Sequence, residues 1–268
     1  MLVSLAQIGS TDDKAHNLCL VRDAVASAAD AGADLVLFPE YAMYEKKAVD
    51  GTFAGAAESL DGPFGAEIAK LASRWGVAIV AGMVEANPHG TRPYNTLIAV
   101  DRDGRLAARY RKMHLFDARG FRESDWIAPA PDLEPVTFVV GDIRVGLMTC
   151  YDLRFPELGR DLADAGADLV AVCSSWVPGE HKADHWQVLA RARAIENAYY
   201  VAAVSQASPI SIGRSVVCGP QGEVIAEVDE LPQVVTATID RRTITTAREL
   251  DPALQNRRHS IRRGRPSV

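Results

Sequence analysis

The chain has 268 residues, enough to bury a substantial core as one large domain or two ordinary ones. Its composition, 48% hydrophobic and 24% charged, is typical of a globular protein. The formal net charge of −6 and the lack of a long apolar stretch exclude a general affinity for nucleic acid and a membrane-spanning helix.

The first half of the chain predicts strand, helix, strand, helix, strand and hairpin. Leu18, Val21 and Val25 recur at helical spacing, which predicts a helix over about 14–30. A second helix is expected to begin near Phe64 and to end near Gly76. The predicted strands are 2–8, 34–38, 77–84 and 96–100, and a turn at Asp103-Gly104 leads into a fifth at 105–111.

The second half predicts the same order of elements. A strand over 143–148 precedes a helix over 156–165, with Pro156 in its first turn. The elements that follow are a strand at 168–172, a helix at 184–197, strands at 199–204 and 216–218, and a turn into 224–228.

One octapeptide occurs twice. Ala-Asp-Ala-Gly-Ala-Asp-Leu-Val stands at 29–36 and again at 163–170, an offset of half the chain. This internal repeat predicts two similar halves, each with a mixed sheet covered by helices on one face only. We therefore expect an α/β fold: a single four-layer α-β-β-α sandwich over residues 1–268. The tail from about residue 241, with a locally basic stretch at 257–263, is expected in subunit contacts.

Cys150 is the first candidate for chemistry. It follows the apolar run 145–148 and precedes the helix predicted from Pro156. A cysteine at a strand end facing a helix N-terminus lies where α/β active sites form, and the helix dipole favours the thiolate. A small buried hydrophobe is the alternative. The other cysteines, predicted to be packing residues, form no CxxC or zinc pattern, which predicts free thiols in a cytoplasmic protein: Cys19, Cys173 and Cys218.

Three charged residues are weaker candidates when each is taken alone. Glu40 ends the strand at 34–38, one half-repeat from Ser174, and could act as a general base or be a surface carboxylate. Lys112 follows a strand and could stabilise an oxyanion or be solvated. Glu123 could equally be a loop carboxylate paired with Arg122.

Together, the segments around these residues resemble the signature blocks of the nitrilase (carbon–nitrogen hydrolase) superfamily, in the family's order and spacing. The three blocks are Phe38-Pro39-Glu40, Arg111-Lys112-Met113-His114-Leu115-Phe116 and Cys150-Tyr151-Asp152-Leu153-Arg154-Phe155-Pro156-Glu157. Further matches include 121–124, 185–197 and 213–222, so the resemblance covers nearly the whole chain.

The resemblance implies a catalytic triad of Glu40, Lys112 and Cys150, with Glu123 orienting the lysine. It also implies an α-β-β-α fold and hydrolysis of a small amide through a cysteine thioester, releasing ammonia. The oxyanion would be held by Lys112 and the main-chain N–H of Tyr151. No metal or organic cofactor is expected.

Within the superfamily, the chain is most similar to the omega-amidases and deaminated-glutathione amidases. It departs from them at 174–180, which makes Trp176 a candidate pocket residue, with packing in the core as the alternative. Arg154 and Tyr41 are further pocket candidates. Either Arg154 or Arg214 could hold a substrate carboxylate, although an internal ion pair is the role expected first for Arg154. An N-carbamoyl amine or amino-acid hydrolase is the main alternative, ahead of a true nitrilase.

Two readings from other classes stay open on the sequence. A Cys–His hydrolase could use His114 or His185, although the local motifs of known cysteine proteases are missing. A non-catalytic binding protein is the second. The expected partners are a small amide substrate and further copies of the chain, in a homodimer or higher homo-oligomer.

Overall fold

The computed structural model describes residues 1–259, and they form two six-stranded mixed sheets. The first sheet contains, in spatial order, β12 (Gln233–Thr238), β1 (Leu2–Gln7), β2 (Leu35–Leu37), β3 (Ala78–Glu85), β4 (Tyr94–Val100) and β5 (Leu106–Arg111). The second contains β11 (Val224–Glu227), β10 (Val216–Cys218), β9 (Tyr200–Ser205), β8 (Leu169–Ser174), β7 (Ile143–Thr149) and β6 (Thr137–Val140). Strands β1 to β5 and β7 to β11 follow the same order, as the internal repeat predicted.

Helices cover the outer face of each sheet. The helices that do so are α1 (Lys14–Asp30), α3 (Pro63–Trp75), α4 (Pro156–Asp164) and α5 (Lys182–Asn197). Two further helices in the described part of the chain are α2 (Thr52–Ala56) and α6 (Arg241–Leu250). Along β2, Val36 packs in the core that includes α1 and α3, whereas Leu35 and Leu37 belong to the core that also contains β7 and β8. This alternation is that of a strand buried on both faces. The predicted α-β-β-α sandwich is confirmed.

The repeated octapeptide marks the same junction in both halves. Gly32 and Gly166 take left-handed conformations, with φ of 77° and 83°, and end the helix before each central strand. The Asp34 carboxylate accepts a hydrogen bond from the Leu2 N–H at 2.7 Å, and Asp168 accepts one from Arg144 at 3.1 Å. Each repeat therefore ends a helix and ties a central strand to its parallel neighbour.

Several elements were not predicted from the sequence patterns. Two of the four edge strands, β6 and β12, were not predicted; they are partly exposed and pair antiparallel beside β7 and β1. Exposure weakens the apolar alternation on which strand prediction depends. Part of the segment from 241, predicted as a tail, forms α6, where Ile244 is buried and Arg248 donates hydrogen bonds to Ala167 and Ala198. Its role in subunit contacts stays a prediction, and residues 260–268 of the basic stretch and tail lie outside the described part.

Two of the three cysteines that were predicted to be packing residues are buried. Cys173 and Cys218 are buried within strands, but Cys19 is exposed on α1, so its assignment as a packing residue was wrong. Within residues 1–259, every helix is too short or too polar to span a membrane.

Candidate active site

The predicted base lies where the two halves meet. Glu40 follows the end of β2, and its Oε2 accepts a hydrogen bond of 2.7 Å from the main-chain N–H of Ser175, just after β8. The offset of half a chain between Glu40 and Ser174 thus becomes a close spatial contact. Glu40 is 1% exposed, so its carboxylate depends on protein groups for hydrogen bonds.

Lys112 connects two buried carboxylates. Its Nζ lies 2.8 Å from Glu40 Oε1 and 2.8 Å from Glu123 Oε2. The Asn95 amide donates to the same two side chains, at 2.6 Å to Glu40 and 3.1 Å to Glu123. Tyr41 donates a further hydrogen bond of 2.9 Å to Glu123 Oε1. The structure therefore brings the predicted Glu40, Lys112 and Glu123 into one buried network.

Electrostatics favour the charged forms of Lys112 and Glu123. Burial by itself would lower the pKa of Lys112, but the carboxylates of Glu123 and Glu40 outweigh it and raise that pKa well above its usual range. Burial would likewise raise the pKa of Glu123, yet the charge and hydrogen bond of Lys112 lower it. Lys112 is consequently a cation that Glu40 and Glu123 hold in a fixed orientation.

Cys150 occupies a strained turn directly after β7. Its φ is 49°, in the left-handed region that residues with a Cβ avoid, and it opens a 3-10 helix over Cys150–Arg154. The thiol donates to the carbonyl of Ser175 at 3.7 Å. Ser175 therefore contacts both candidates, Glu40 through its N–H and Cys150 through its C=O.

The Asp152 carboxylate stabilises this turn through several hydrogen bonds. Its carboxylate accepts hydrogen bonds from the Thr149 N–H at 2.9 Å and the Tyr110 hydroxyl at 2.6 Å. It also accepts from the His114 N–H at 3.1 Å, while Nδ1 of that ring lies 2.7 Å away. Asp152 caps the N–H of Thr149 from three residues further along the chain, a spacing readable from the sequence although sequence reasoning missed it. Both the main-chain N–H and the ring Nδ1 of His114 are therefore engaged by the Asp152 carboxylate.

The resting nucleophile is a neutral thiol. Burial raises the pKa of Cys150, and the nearby charge of Glu40 raises it further, against the opposite effect of Lys112. The predicted helix N-terminus is a short 3-10 turn, and its influence is outweighed. Any reaction of Cys150 as a thiolate therefore requires that a proton first leave the sulfur.

A cavity of about 320 Å³ opens onto Cys150. Its lining includes Glu40, Tyr41, Glu45, Lys112, Phe116, Glu123, Cys150, Ser175 and Val177. Tyr41 lies on the wall, as predicted, but Trp176 and Arg154 do not. Trp176 is 1% exposed and donates its indole N–H to the Lys182 carbonyl at 2.8 Å. Arg154 lies over the Trp176 ring, 5.2 Å from its centroid, beside His185.

Asn95, Ser175 and Glu45 are site residues that sequence reasoning missed. Asn95 carries a detectable signal, because it is a polar residue in the apolar strand β4. Ser175 and Glu45 lie in loops, where polar residues are ordinary. Their positions follow only from the way that the two sheets pack.

Gly82 allows the Glu40 turn to lie against β3. A Cβ there would be 2.5 Å from the main-chain N of Tyr41 and 2.8 Å from the Cα of Glu40. Gly82→Ala should therefore displace the base, lowering kcat by about 10²-fold and stability by about 1–3 kcal/mol. Gly55→Ala is the matched control, because nothing lies within 4 Å of that Cβ position. An unchanged kcat in Gly82→Ala would contradict this role of the close contact.

The sequence model of the carbon–nitrogen hydrolase family matches residues 2–249. The chain belongs to the carbon–nitrogen hydrolase family. The match spans both halves of the repeat and includes the three blocks on which the resemblance was recognised. The predicted superfamily is therefore confirmed.

Named relatives cover almost the whole chain. A Mycobacterium tuberculosis protein described as a hydrolase is 41% identical over 272 residues, 96% of this chain and 95% of its own. A deaminated glutathione amidase of Escherichia coli O157:H7 is 31% identical over 258 residues, 96% of this chain and 97% of its own. This carbon–nitrogen hydrolase is accordingly an enzyme that hydrolyses amides, as predicted.

The fold likewise matches a solved amidase. The amidase of Nesterenkonia sp. AN1 is 27% identical and superposes with a TM-score of 0.82 over 96% of this chain and 94% of its own. It was solved as a double mutant in complex with acrylamide. In a related structure, acrylamide has added to the active-site cysteine of that enzyme. Amide hydrolysis through a cysteine is consistent with the geometry around Cys150.

Proposed function

We propose that the enzyme hydrolyses a primary amide of a small carboxylic acid, with Cys150 as nucleophile, Glu40 as general acid and base, and Lys112 as oxyanion partner. One observation supports these roles above the others. Ser175 connects the Glu40 carboxylate to the Cys150 thiol, while Lys112 lies 2.8 Å from Glu40 at the edge of the same cavity.

In the first step, Glu40 accepts the thiol proton as the sulfur of Cys150 attacks the amide carbonyl. The S–C bond forms, and the carbonyl π electrons move to oxygen. The Lys112 ammonium faces that oxygen, together with the N–H of Tyr151, which has no helical acceptor at the second position of a 3-10 helix. Removing one such donor costs about 2.7–4 kcal/mol of barrier.

In the second step, Glu40 returns the proton to the amide nitrogen. The C–N bond breaks, ammonia leaves, and a thioester on Cys150 remains. A water molecule then gives a proton to Glu40 and attacks the thioester, releasing the carboxylic acid and restoring the thiol. One carboxylate thus serves as acid and base in turn.

Glu123 acts through Lys112 and is a positioning residue. Its Oε2 accepts hydrogen bonds from Lys112 at 2.8 Å and from the Phe116 N–H at 2.7 Å. Its Oε1 accepts from Tyr41 and Asn95. These contacts hold the Lys112 ammonium between Glu123 and Glu40, at 2.8 Å from each, on the lining of the cavity.

The cavity favours a short acyl chain that ends in an anionic group. Its volume of about 320 Å³ suits a small ligand. Lys46, Lys47 and Arg122 lie on its lining. Lys46 pairs with Asp50, and Arg122 approaches Asp125 at 3.3 Å, whereas Lys47 has no ion-pair partner among residues 1–259. We call these three side chains the cationic wall, and a substrate carboxylate could pair with it. The relatives named deaminated glutathione amidase support the same substrate class.

An ammonia-release screen tests the proposal. The compounds are aliphatic primary amides, the monoamides of succinate and glutarate, N-carbamoyl amino acids, and a nitrile. The monoamides should have the highest kcat/KM, because their carboxylate reaches the cationic wall. Faster turnover of N-carbamoyl compounds would favour the alternative reaction. Turnover of none of them would contradict the proposed function.

The assembly and the location stay predictions from the sequence. Exposed apolar side chains on α5 and β11 support a homo-oligomer: Val188, Ile195, Val224 and Ile225. Such a group of residues is typical of a surface that associates with another protein. A cytoplasmic location fits the four free cysteines.

A further inference from the structure

Glu45 is a buried cavity residue to which the mechanism assigns no role. It is 2% exposed and lines the same cavity as Cys150. Its Oε1 accepts a hydrogen bond of 2.8 Å from the Lys46 N–H, but its Oε2 is buried without a partner among the described residues. Buried polar atoms are nearly always hydrogen-bonded, so this oxygen calls for an explanation.

The segment that carries Glu45 is held by main-chain hydrogen bonds. Glu45 N–H donates to the Thr11 carbonyl at 2.9 Å, and Met43 N–H donates to Gly82 at 3.1 Å. Asn17 also donates to the Met43 carbonyl at 3.0 Å. These contacts define the path of the loop, so the backbone from which the Glu45 side chain extends is held in place by the fold.

No cation neutralises Glu45 within residues 1–259. Lys112 is already engaged by Glu40 and Glu123, and the Lys46 ammonium pairs with Asp50 at 2.5 Å. Burial raises the pKa of Glu45 well above its usual range, and the Glu40 charge adds to the rise. The Ser175 side chain, the Lys46 N–H and the charge of Lys112 lower the pKa of Glu45, but they do not reverse the rise. Together these effects favour the neutral carboxylic acid, which has one O–H to donate.

We propose that Glu45 is a specificity-determining residue whose O–H donates a hydrogen bond to an oxygen on the acyl chain of the substrate. The ligand class is an amide whose acyl chain carries a keto, hydroxyl or carboxylate oxygen. This assignment rests on the proposed function for the location of the acyl chain. It adds a neutral donor to the cationic wall and selects against plain aliphatic amides.

Binding to Cys150→Ala protein tests the assignment without turnover. The probes are pentanamide and the neutral 2-oxo-, 3-oxo- and 4-oxopentanamides, so that ligand charge does not contribute. At least one keto amide should bind about 10-fold more tightly than pentanamide. Adding Glu45→Gln, which keeps an N–H donor, should preserve that preference. Adding Glu45→Met, which has no donor, should remove it, and the matched exposed control Glu249→Gln should not change it.

Three binding results would overturn the assignment: no keto preference in the Cys150→Ala protein, a preference that survives Glu45→Met, or its loss in Glu45→Gln. An infrared difference spectrum of wild type and Glu45→Gln at neutral pH needs no methionine variant. It should contain the carbonyl band of a protonated acid, and its absence would also overturn the assignment. Failure of the proposed function would give a different result, because the wild-type enzyme would then release ammonia from no amide.

Discussion

Cys150→Ala is expected to reduce ammonia release by about 10⁶-fold, to the background rate. The sulfur forms the bond that divides amide hydrolysis into two steps, and no neighbouring group replaces it. The resting thiol is neutral, so its removal leaves no uncompensated charge in the site. Stability should therefore change by only about 1 kcal/mol, mainly through lost packing and the weak hydrogen bond to Ser175.

Steady-state ammonia assays and mass spectrometry of the intact protein measure this effect. Wild type mixed with a slow amide should gain the mass of the acyl group, and Cys150→Ala should not. Cys218→Ala is the control, because Cys218 is buried in β10 away from the cavity lining. Normal hydrolysis by Cys150→Ala would refute the nucleophile assignment and favour a binding role or a different mechanism.

Lys112→Met should remove both activity and stability. The substitution deletes an oxyanion donor, for which a loss of about 10²–10³-fold in kcat is typical. It also leaves Glu40 and Glu123 buried together without their shared cation. Breaking a buried ion pair on one side costs about 3–5 kcal/mol, so the melting temperature should fall sharply.

Kinetics and thermal unfolding should be measured together, with Lys70→Met as control, since the Lys70 side chain is 71% exposed. Glu40→Gln combined with Lys112→Met should recover part of the lost stability, because one uncompensated charge is removed. A Cys–His hydrolase would behave differently. His114→Ala and His185→Ala would each abolish its activity, whereas Lys112→Met would leave turnover intact.

The order of the strands could be predicted because its determinants are local. The octapeptide at 29–36 and 163–170 ends a helix and begins a strand buried on both faces, and both signals lie within a few residues. The edge strands β6 and β12 lack such signals, since one side of each faces solvent. Their pairing depends on neighbours that are distant in sequence, as β12 pairs with β1.

The site residues likewise divide into those marked by a local sequence pattern and those whose contacts depend on how the sheets pack. Glu40, Lys112, Glu123 and Cys150 stand in recognisable blocks, so the resemblance could name them. The contacts of Ser175 with Glu40 and Cys150 depend on how the two sheets pack. The same holds for Trp176: its half-repeat offset indicated the cavity wall, but its indole turns inward onto Trp186 at 5.2 Å between ring centroids.

The main-chain N–H and C=O of Ser175 contact Glu40 and Cys150, which come from different halves of the chain. The proposed reaction therefore requires the two halves to be packed against each other. Residues before the midpoint supply the proton acceptor and the cation, Glu40 and Lys112, and residues after it supply the sulfur of Cys150. Neither half contains a complete set of reacting groups. Separation of the sheets by a few ångströms would silence the enzyme even if every helix and strand persisted. Turnover therefore reports on docking of the two halves, and during gradual denaturation it should disappear before the helical signal does.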